Sequence, residues 1–355
     1  MKNKTVNILG IETSCDETAA AVVADGRVVK SSVVASQTNL HAKYGGVVPE
    51  LASRAHLEKI CPVISEALEQ ALVTKDDIDA IAVANQPGLT VALIVGVTAA
   101  KTLSMTWQKP LIAINHLHAH IQSAIFNEPD LPPHLAVARQ QRGPAIALIV
   151  SGGHTSLYDY RSPLEPRLLG RTIDDAAGEA FDKVAMILNL PYPGGPSIEN
   201  VAKNGDPDAI DFPRTMLDKD SLDFSFSGIK TAVLYHCQGQ DMKGENRVAS
   251  MGQNQIADIA ASFQKAVVDV LVKKTRRGAE KIRAKTVLLG GGVAANTALR
   301  NALQQMCDSL TPPLKLLVAD KRYCTDNAVM VASLAYHKYK AKLFADLSLE
   351  PKASG

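Results

Sequence analysis

Two stretches of this chain share one pattern: an apolar strand, a short polar turn and a further strand. The first reads TVNILGIE, then ETSCDET, then AAAVVADGRVVKSSVV, where Asp25-Gly26 forms the turn between two more strands. The second reads PAIALIVSGG, HTSLYDY and PRLLGRTID. A third landmark, KTVLLGGGVAANTALR, runs from an apolar strand through glycines into a helix. A pattern that recurs in this way points to an internal duplication, each copy making one lobe. Helical stretches fill the intervals: ELASRAHLEKICPVISEALEQAL, VALIVGVTAAKTLSMTW and ADIAASFQKAVVDVLVKKTRRGAEKI carry apolar residues at helical spacing. The Pro-rich segment Asn127 to Pro144 breaks the pattern before the second copy and reads as the connection. The expected organisation is a first lobe of residues 1–126 plus 324–347, a connection over 127–144 and a second lobe over 145–323.

Composition agrees with a layered α/β protein. The chain has 355 residues, 46% hydrophobic and 21% charged, enough for two domains that each bury a core. Aromatics are sparse at 5%, which suits close helix–strand packing better than a β-sandwich. The apolar run in MKNKTVNILGIE is too short for a signal peptide, and no run approaches transmembrane length, so a cytoplasmic protein with no membrane partner is expected. Cys15, Cys61, Cys237, Cys307 and Cys324 are odd in number and lack CxxC spacing, which argues against a disulfide framework. A net charge of +2 cannot attract nucleic acid uniformly, so such binding needs a local basic face. KKTRRGAEKIRAK, Lys273 to Lys285, is one candidate, and the solvated side of an amphipathic helix is its alternative.

VSGGH and LGGGVAAN each end an apolar strand with small residues, which let a ligand approach the backbone. The second leads into NTALRNALQQM, whose N-terminus suits a phosphate. Neither is GxxxxGK[ST], so this is no P-loop. Together with ETSCDET, the two turns point to a nucleotide-like ligand. In DDAAGEAFDK, Asp174 or Asp175 can cap the helix, whereas Asp182 lies too far in for that role. YPGGPSIE follows, a turn able to press backbone against a sugar.

NHLHAH holds His116 and His120 four apart, hence about 6 Å apart on one helix face and able to share a metal. His118 points elsewhere. The pair alone is weak evidence, because hydrogen-bonded core histidines share that spacing. A zincin peptidase needs Glu after the first His, and here that position is Leu117. Asp326, in RYCTDNAVM, can supply a third ligand or merely cap the helix it opens.

These landmarks occur in a recognisable order. GIETSCDET, YGGVVPELASRAH, NHLHAH, LIVSGGHT, IDDAAGEAFDK, YPGGP, DFSFSGIKTA, GGGVAAN and YCTDNAVM together resemble the tRNA N6-adenosine threonylcarbamoyltransferases, the TsaD (Gcp/YgjD) family, over nearly the whole chain. The resemblance implies an α/β, actin-like ATPase fold of the sugar kinase and Hsp70 type, duplicated into two lobes. It implies a metal at His116, His120 and Asp326, Fe2+ in the bacterial family with Zn2+ as alternative. The implied ligand is L-threonylcarbamoyl-AMP. Ile149, Val150, Ser151, Gly152 and Gly153 would cradle its phosphate and threonylcarbamoyl part, and Asp182, Gly195 and Asn296 its ribose and adenine. Glu199 stands where many relatives have a ribose-contacting Asp. Asp16 and Glu17 match acidic residues important for transfer.

The implied reaction places the threonylcarbamoyl group on N6 of the adenosine adjacent to the anticodon in tRNAs reading codons that begin with A, with AMP leaving. Implied partners are tRNA, a TsaB-like paralogue, a TsaE-like ATPase and a separate synthase that makes the adenylate. Gln86-Pro87-Gly88-Leu89 departs from the family's GPGL, and the 127–144 segment is longer than the family leads one to expect. Three other readings compete. A metallopeptidase lacks its base at Leu117. A sugar kinase or ATPase has no use for two metal-spaced histidines, since it holds Mg²⁺ by carboxylates and phosphates. A non-catalytic scaffold need not keep the three-ligand set.

Overall fold

The computed structural model describes residues 4–126, 144–218, 220–238 and 247–354. The Pro-rich connection read from the sequence lies almost wholly outside these residues. The chain divides into two compact units, one of Met1–Asp130, Ser162–Leu164 and Ala319–Gly355, the other of Leu131–Arg161 and Glu165–Val318.

The first unit contains β1 (Asn7–Glu12), β2 (Glu17–Ala24), β3 (Val28–Ser36), α1 (Thr38–Ala42), α2 (Pro49–Gln70), β4 (Ala80–Gln86), α3 (Thr90–Trp107), β5 (Leu111–Asn115) and α4 (His116–Ser123). Its sheet runs β3-β2-β1-β4-β5, with β1, β2 and β3 antiparallel and β1, β4 and β5 parallel. Both faces of β1 are covered, which is why NILGIE reads as one apolar run rather than an alternation. Leu9 and Ile11 pack with Ile60, Val63 and Ile64 of α2 and Val95 and Val97 of α3. Ile8 faces the opposite core with Ala19, Ala21 and Ile112. The hairpin at Asp25-Gly26 forms as the sequence suggests, with both residues at positive φ, +50° and +69°.

The second unit follows with β6 (Ala145–Val150), β7 (Thr155–Tyr160), β8 (Arg167–Arg171), α5 (Ala177–Ile187), α6 (Gly194–Ala202), α7 (Ser227–Gln238), α8 (Gln253–Ile282), β9 (Thr286–Gly290), α9 (Thr297–Asp308) and β10 (Lys315–Val318). Its sheet runs β8-β7-β6-β9-β10. Counted within the unit, that is third, second, first, fourth, fifth, the same order and the same strand directions as the first unit. The duplication inferred from two strand–turn–strand openings is therefore present in the backbone. Helix α10 (Ala328–Lys340) returns to the first unit and supplies Val329, Met330 and Val331 to the Ile8 core. It lies so close to β1 that a Cβ at Gly10 would collide with the Ala328 carbonyl oxygen.

One sequence expectation needs amendment. Helix α3, at 18 residues, does reach the length and apolar composition that a membrane span requires. One face of it is buried, with Val95, Val97 and Ala100 in the core shared with the sheet and α2, while Val91, Ile94 and Met105 are exposed.

Candidate functional site

Helix α4 starts immediately after β5. Asn115 caps it, its Oδ1 accepting the N–H groups of Leu117 at 2.9 Å and His118 at 3.1 Å. This fixes His116 and His120 one turn apart on a buried face, with ring centroids 4.6 Å apart and planes nearly perpendicular. Asp326 approaches from the turn before α10. The cap of α10 is its neighbour Asn327, whose Oδ1 accepts the Met330 N–H at 3.0 Å. The capping role open to Asp326 in the sequence thus falls one residue later, and the Asp326 carboxylate turns toward the imidazoles.

Asp326 Oδ1 lies 3.0 Å from His120 Nε2 and 3.4 Å from His116 Nε2. Two metal–ligand bonds of about 2.1 Å at tetrahedral or octahedral angles span about 3.0–3.4 Å. All three ligand atoms fall within 4.8 Å of one another. Two imidazole nitrogens and one carboxylate oxygen form a donor set that suits Fe²⁺ or Zn²⁺, so the residues fit the metal that the family resemblance implies. His118 stands apart, its pKa pushed down to about 4 by burial, with Lys338 adding.

Behind the triad lies Glu12, fully buried at the end of β1. Its Oε2 is 2.9 Å from His116 Nδ1, and its Oε1 accepts the Ser14 N–H at 2.7 Å. Ser14 Oγ is 3.1 Å from His116 Nδ1 and donates to Asp326 Oδ2 at 3.5 Å. Burial works against a charged His116, but the carboxylates of Glu12 and Asp326 outweigh it and hold the pKa up to about 9. Burial dominates at His120, and its pKa falls.

Asp16 and Glu17 occupy the turn that joins β1 to β2 and the first position of β2. Glu17 has its pKa pushed up to about 10 by burial, with Asp326 and Asp16 adding. His56 of α2 braces the turn: its Nε2 is 3.0 Å from the Cys15 carbonyl oxygen and its Nδ1 2.8 Å from Thr18 Oγ1. A carbonyl only accepts, so His56 carries its proton on Nε2 and accepts from the threonine. The Gln86–Leu89 turn closes on the same place, with the Leu89 N–H donating to the Ser14 carbonyl at 2.8 Å. Burial raises the Cys15 thiol well above its ordinary pKa, and Cys324 is buried with its Sγ 3.5 Å from the carbonyl oxygens of Ala319 and Asp320. Sequence reading gave no role to Glu12, Ser14 or His56. The one available signal is a carboxylate closing a fully apolar strand.

The second unit holds the remaining sequence-derived residues, linked in a closed ring of contacts. Ile149 and Val150 end β6, and Gly291, at φ +92°, sits so close that a Cβ would strike the Val150 carbonyl. The Ser151 carbonyl accepts the Gly178 N–H at 3.2 Å, tying it to the first turn of α5. Asp182 Oδ1 accepts the Gly194 N–H at 2.7 Å at the start of α6. Glu199 Oε1 accepts the Thr297 N–H at 2.9 Å at the start of α9. Asn296 caps α9 through Leu299 and donates to Gln264 Oε1 at 2.7 Å, and the 3-10 turn Gly292–Ala295 leads back to Gly291. Three helix N-termini therefore border one ring. Gly152, Gly153, Gly195 and Gly292 each have open space where a Cβ would stand.

Two expectations in this unit are corrected. Neither Asp174 nor Asp175 caps α5, whose cap position is Ala176. Asp174 accepts from Ser225, Phe226 and Ser227 and anchors the DFSFSG segment, while Asp175 pairs with Lys183 and Lys230. The basic stretch at the end of α8 is only partly a surface. Lys274 is fully buried and donates to the carbonyls of Met216 at 2.6 Å and Ser221 at 2.7 Å. Lys273, Lys281, Arg283 and Lys285 remain exposed.

A family model described as tRNA N6-adenosine threonylcarbamoyltransferase, TsaD, matches residues 28–333. A Moorella thermoacetica protein of that name is 49% identical over 345 residues, covering 97% of this chain and 95% of that protein. One from Symbiobacterium thermophilum is 50% identical over 343 residues, covering 96% and 94%. Among solved structures, full-length HypF in its phosphate- and nucleotide-bound form matches with a TM-score of 0.59 at 13% identity, over 96% of this chain and 47% of that one. The activator of the 2-hydroxyisocaproyl-CoA dehydratase from Clostridium difficile matches with a TM-score of 0.52 at 14% identity, over 95% and 97%. At such low identity the likeness is one of fold, the duplicated actin-like α/β fold.

Proposed function

The chain belongs to the family of tRNA N6-adenosine threonylcarbamoyltransferases, and from that membership we propose a reaction with L-threonylcarbamoyl-AMP as donor. The enzyme is a transferase that modifies tRNA. The N6 amine of the adenosine adjacent to the anticodon, in tRNAs reading codons that begin with A, attacks the carbamoyl carbon. A carbon–nitrogen bond forms, the bond from that carbon to the phosphate oxygen breaks, AMP leaves, and the amine loses a proton. An adenine amine is a weak nucleophile, so the protein must supply orientation and charge stabilisation. AMP is a good leaving group and no protein nucleophile is needed, in keeping with the neutral thiol of Cys15.

The observation that carries this reading is the convergence of His116, His120 and Asp326 on one point. These three would hold Fe²⁺, with Zn²⁺ as alternative, and when bound the cation supplies Lewis-acid polarisation of the threonylcarbamoyl group. Glu17, whose pKa burial pushes up, stands beside Asp16, and we assign to these two the acidic roles in transfer that the family resemblance implies. In the second unit, the backbone of Ile149 to Gly153 receives the phosphate and threonylcarbamoyl part, and the open α-carbons of Gly152 and Gly153 support that role. Asp182, Gly195, Glu199 and Asn296 receive the ribose and adenine.

A metallopeptidase fits less well. The carboxylate nearest His116 is Glu12, and both its oxygens are engaged, by Nδ1 of that histidine and by the Ser14 N–H. It orients a ligand and is not placed as a base for water.

The working assembly comprises tRNA, a TsaB-like paralogue, a TsaE-like ATPase and a synthase that supplies the adenylate, in the cytoplasm. Leu57 of α2 and Val91 and Ile94 of α3 are exposed apolar side chains on helices pinned together by the Ser53 hydroxyl and the Val91 carbonyl at 2.9 Å. This face is the docking place we assign to the paralogue. The purified chain, given these partners, defined tRNA and synthetic L-threonylcarbamoyl-AMP, should release AMP in step with threonylcarbamoyladenosine recovered from digested tRNA. AMP release without the modified nucleoside overturns the reading.

A further inference from the structure

We infer that Glu12 is a positioning residue that sets which nitrogen of His116 is available to a cation. The inference rests on the metal reading of His116, His120 and Asp326. Glu12 is fully buried at the end of β1, with each oxygen committed to one neighbour. Oε1 faces the Ser14 N–H at 2.7 Å, and a backbone amide can only donate, so that oxygen is always an acceptor. Oε2 faces His116 Nδ1 at 2.9 Å. An ionised carboxylate also only accepts, so Nδ1 must carry a proton. The lone pair of the neutral ring is then on Nε2, the nitrogen aimed at Asp326 and His120. Ser14 Oγ, 3.1 Å from the same Nδ1, gives its one proton to Asp326 Oδ2 and is left to accept there, in agreement with Glu12.

Charge supports the same role. A divalent cation held by two neutral imidazoles and one carboxylate retains one positive charge, and Glu12 is the buried anion that cancels it. Carboxylates behind metal-binding histidines commonly act in this way.

Glu12→Gln separates this role from simple packing, because glutamine has nearly the same shape. Its single oxygen must serve the Ser14 N–H, which turns the amide NH2 toward His116 Nδ1. Nδ1 then has to accept, the proton moves to Nε2, and the lone pair is lost from the metal-facing side. A packing role would survive this substitution.

The test is a competitive zinc titration of the full chain and its Glu12→Gln variant, using Zn²⁺ alone, with thermal melting of both in chelator. The expected result is zinc affinity lower by about 10- to 100-fold with melting in chelator near that of the parent chain. In ¹⁵N-histidine spectra, with His116 assigned by its loss in His116→Ala, the zinc-loaded parent should show Nδ1–H and the variant a neutral Nε2–H ring. Unchanged zinc affinity in a folded Glu12→Gln chain overturns the inference but leaves the metal centre standing. If the variant fails to fold, the spectrum of the zinc-loaded parent decides: His116 lacking a proton on Nδ1 overturns the inference. Should the parent chain bind no zinc, the metal reading fails and this inference falls with it.

Discussion

Asp182 Oδ1 holds the backbone N–H of Gly194 at 2.7 Å, so the carboxylate that we propose for the nucleotide also satisfies a donor at the start of α6. Removing it leaves a helix N-terminal donor without that partner beside the open α-carbon of Gly195.

Asp182→Ala should therefore lose both stability, by about 0.5–2 kcal/mol for a lost cap, and adenylate affinity. Asp182→Asn keeps an acceptor for the Gly194 N–H and should melt like the parent chain, yet bind the adenylate more weakly because a charge-assisted bond is gone. Calorimetry and melting curves on both variants check this. Parent-like affinity in the Asn variant would confine Asp182 to its cap.

Lys274 lies in the basic stretch Lys273 to Lys285 that the sequence offers as a possible tRNA surface, and its burial against the Met216 and Ser221 carbonyls removes it from that surface. Lys274→Met should destabilise the fold by about 1.5–3 kcal/mol for each lost charged hydrogen bond. Charge reversal at exposed Lys281, Arg283 and Lys285 should leave stability near parent and flatten the salt dependence of tRNA binding. The expected change is a log–log slope of about 0.7–0.9 per lost phosphate contact. Filter binding across a salt series measures it, and an unchanged slope removes this end of α8 from the tRNA surface.

His118 gives the chain a pH-dependent stability term. Its folded pKa of about 4 lies below the ordinary imidazole value of 6.5, because burial and then Lys338 disfavour the charged ring. Between those values the unfolded chain binds more protons than the folded one, so the contribution is present above pH 6.5 and is lost as pH falls toward 4. In chelator, denaturant midpoints should drop more steeply over that window for the parent than for His118→Leu. Parallel curves contradict the assignment.

The α2–α3 face predicts partner loss without unfolding. Leu57 and Ile94 are 63% and 50% exposed, so Leu57→Asp with Ile94→Asp should leave melting nearly unchanged while abolishing association with a TsaB-like paralogue in gel filtration. Retained association moves the paralogue elsewhere.

Much of the fold was legible because the duplication repeats a buried strand, a polar turn and a second strand, and because α2, α3 and α8 carry long helical periodicities. That His116 and His120 share one helix face was legible from their spacing, but spacing alone did not separate metal ligands from hydrogen-bonded core histidines. Asp326 was ambiguous, since Asn327 beside it is an equally good cap and only the fold shows which of them does that work. Lys274 was misleading: a run of cations on a helix looks solvated, and two carbonyls from the distant 216–221 segment cannot be seen from local sequence. Glu12 and His56 were silent for the same reason. Their partners, His116 and the Cys15 carbonyl, come from other elements, and only the packed sheet brings them together.

The central claim is that His116, His120 and Asp326 form one cation centre. Metal analysis of the purified parent chain beside His116→Ala, His120→Ala and Asp326→Ala tests it most directly, with circular dichroism to establish that each variant is folded. The account predicts one iron or zinc for each parent chain and almost none in any of the three folded variants. Full metal occupancy in the folded variants would contradict it.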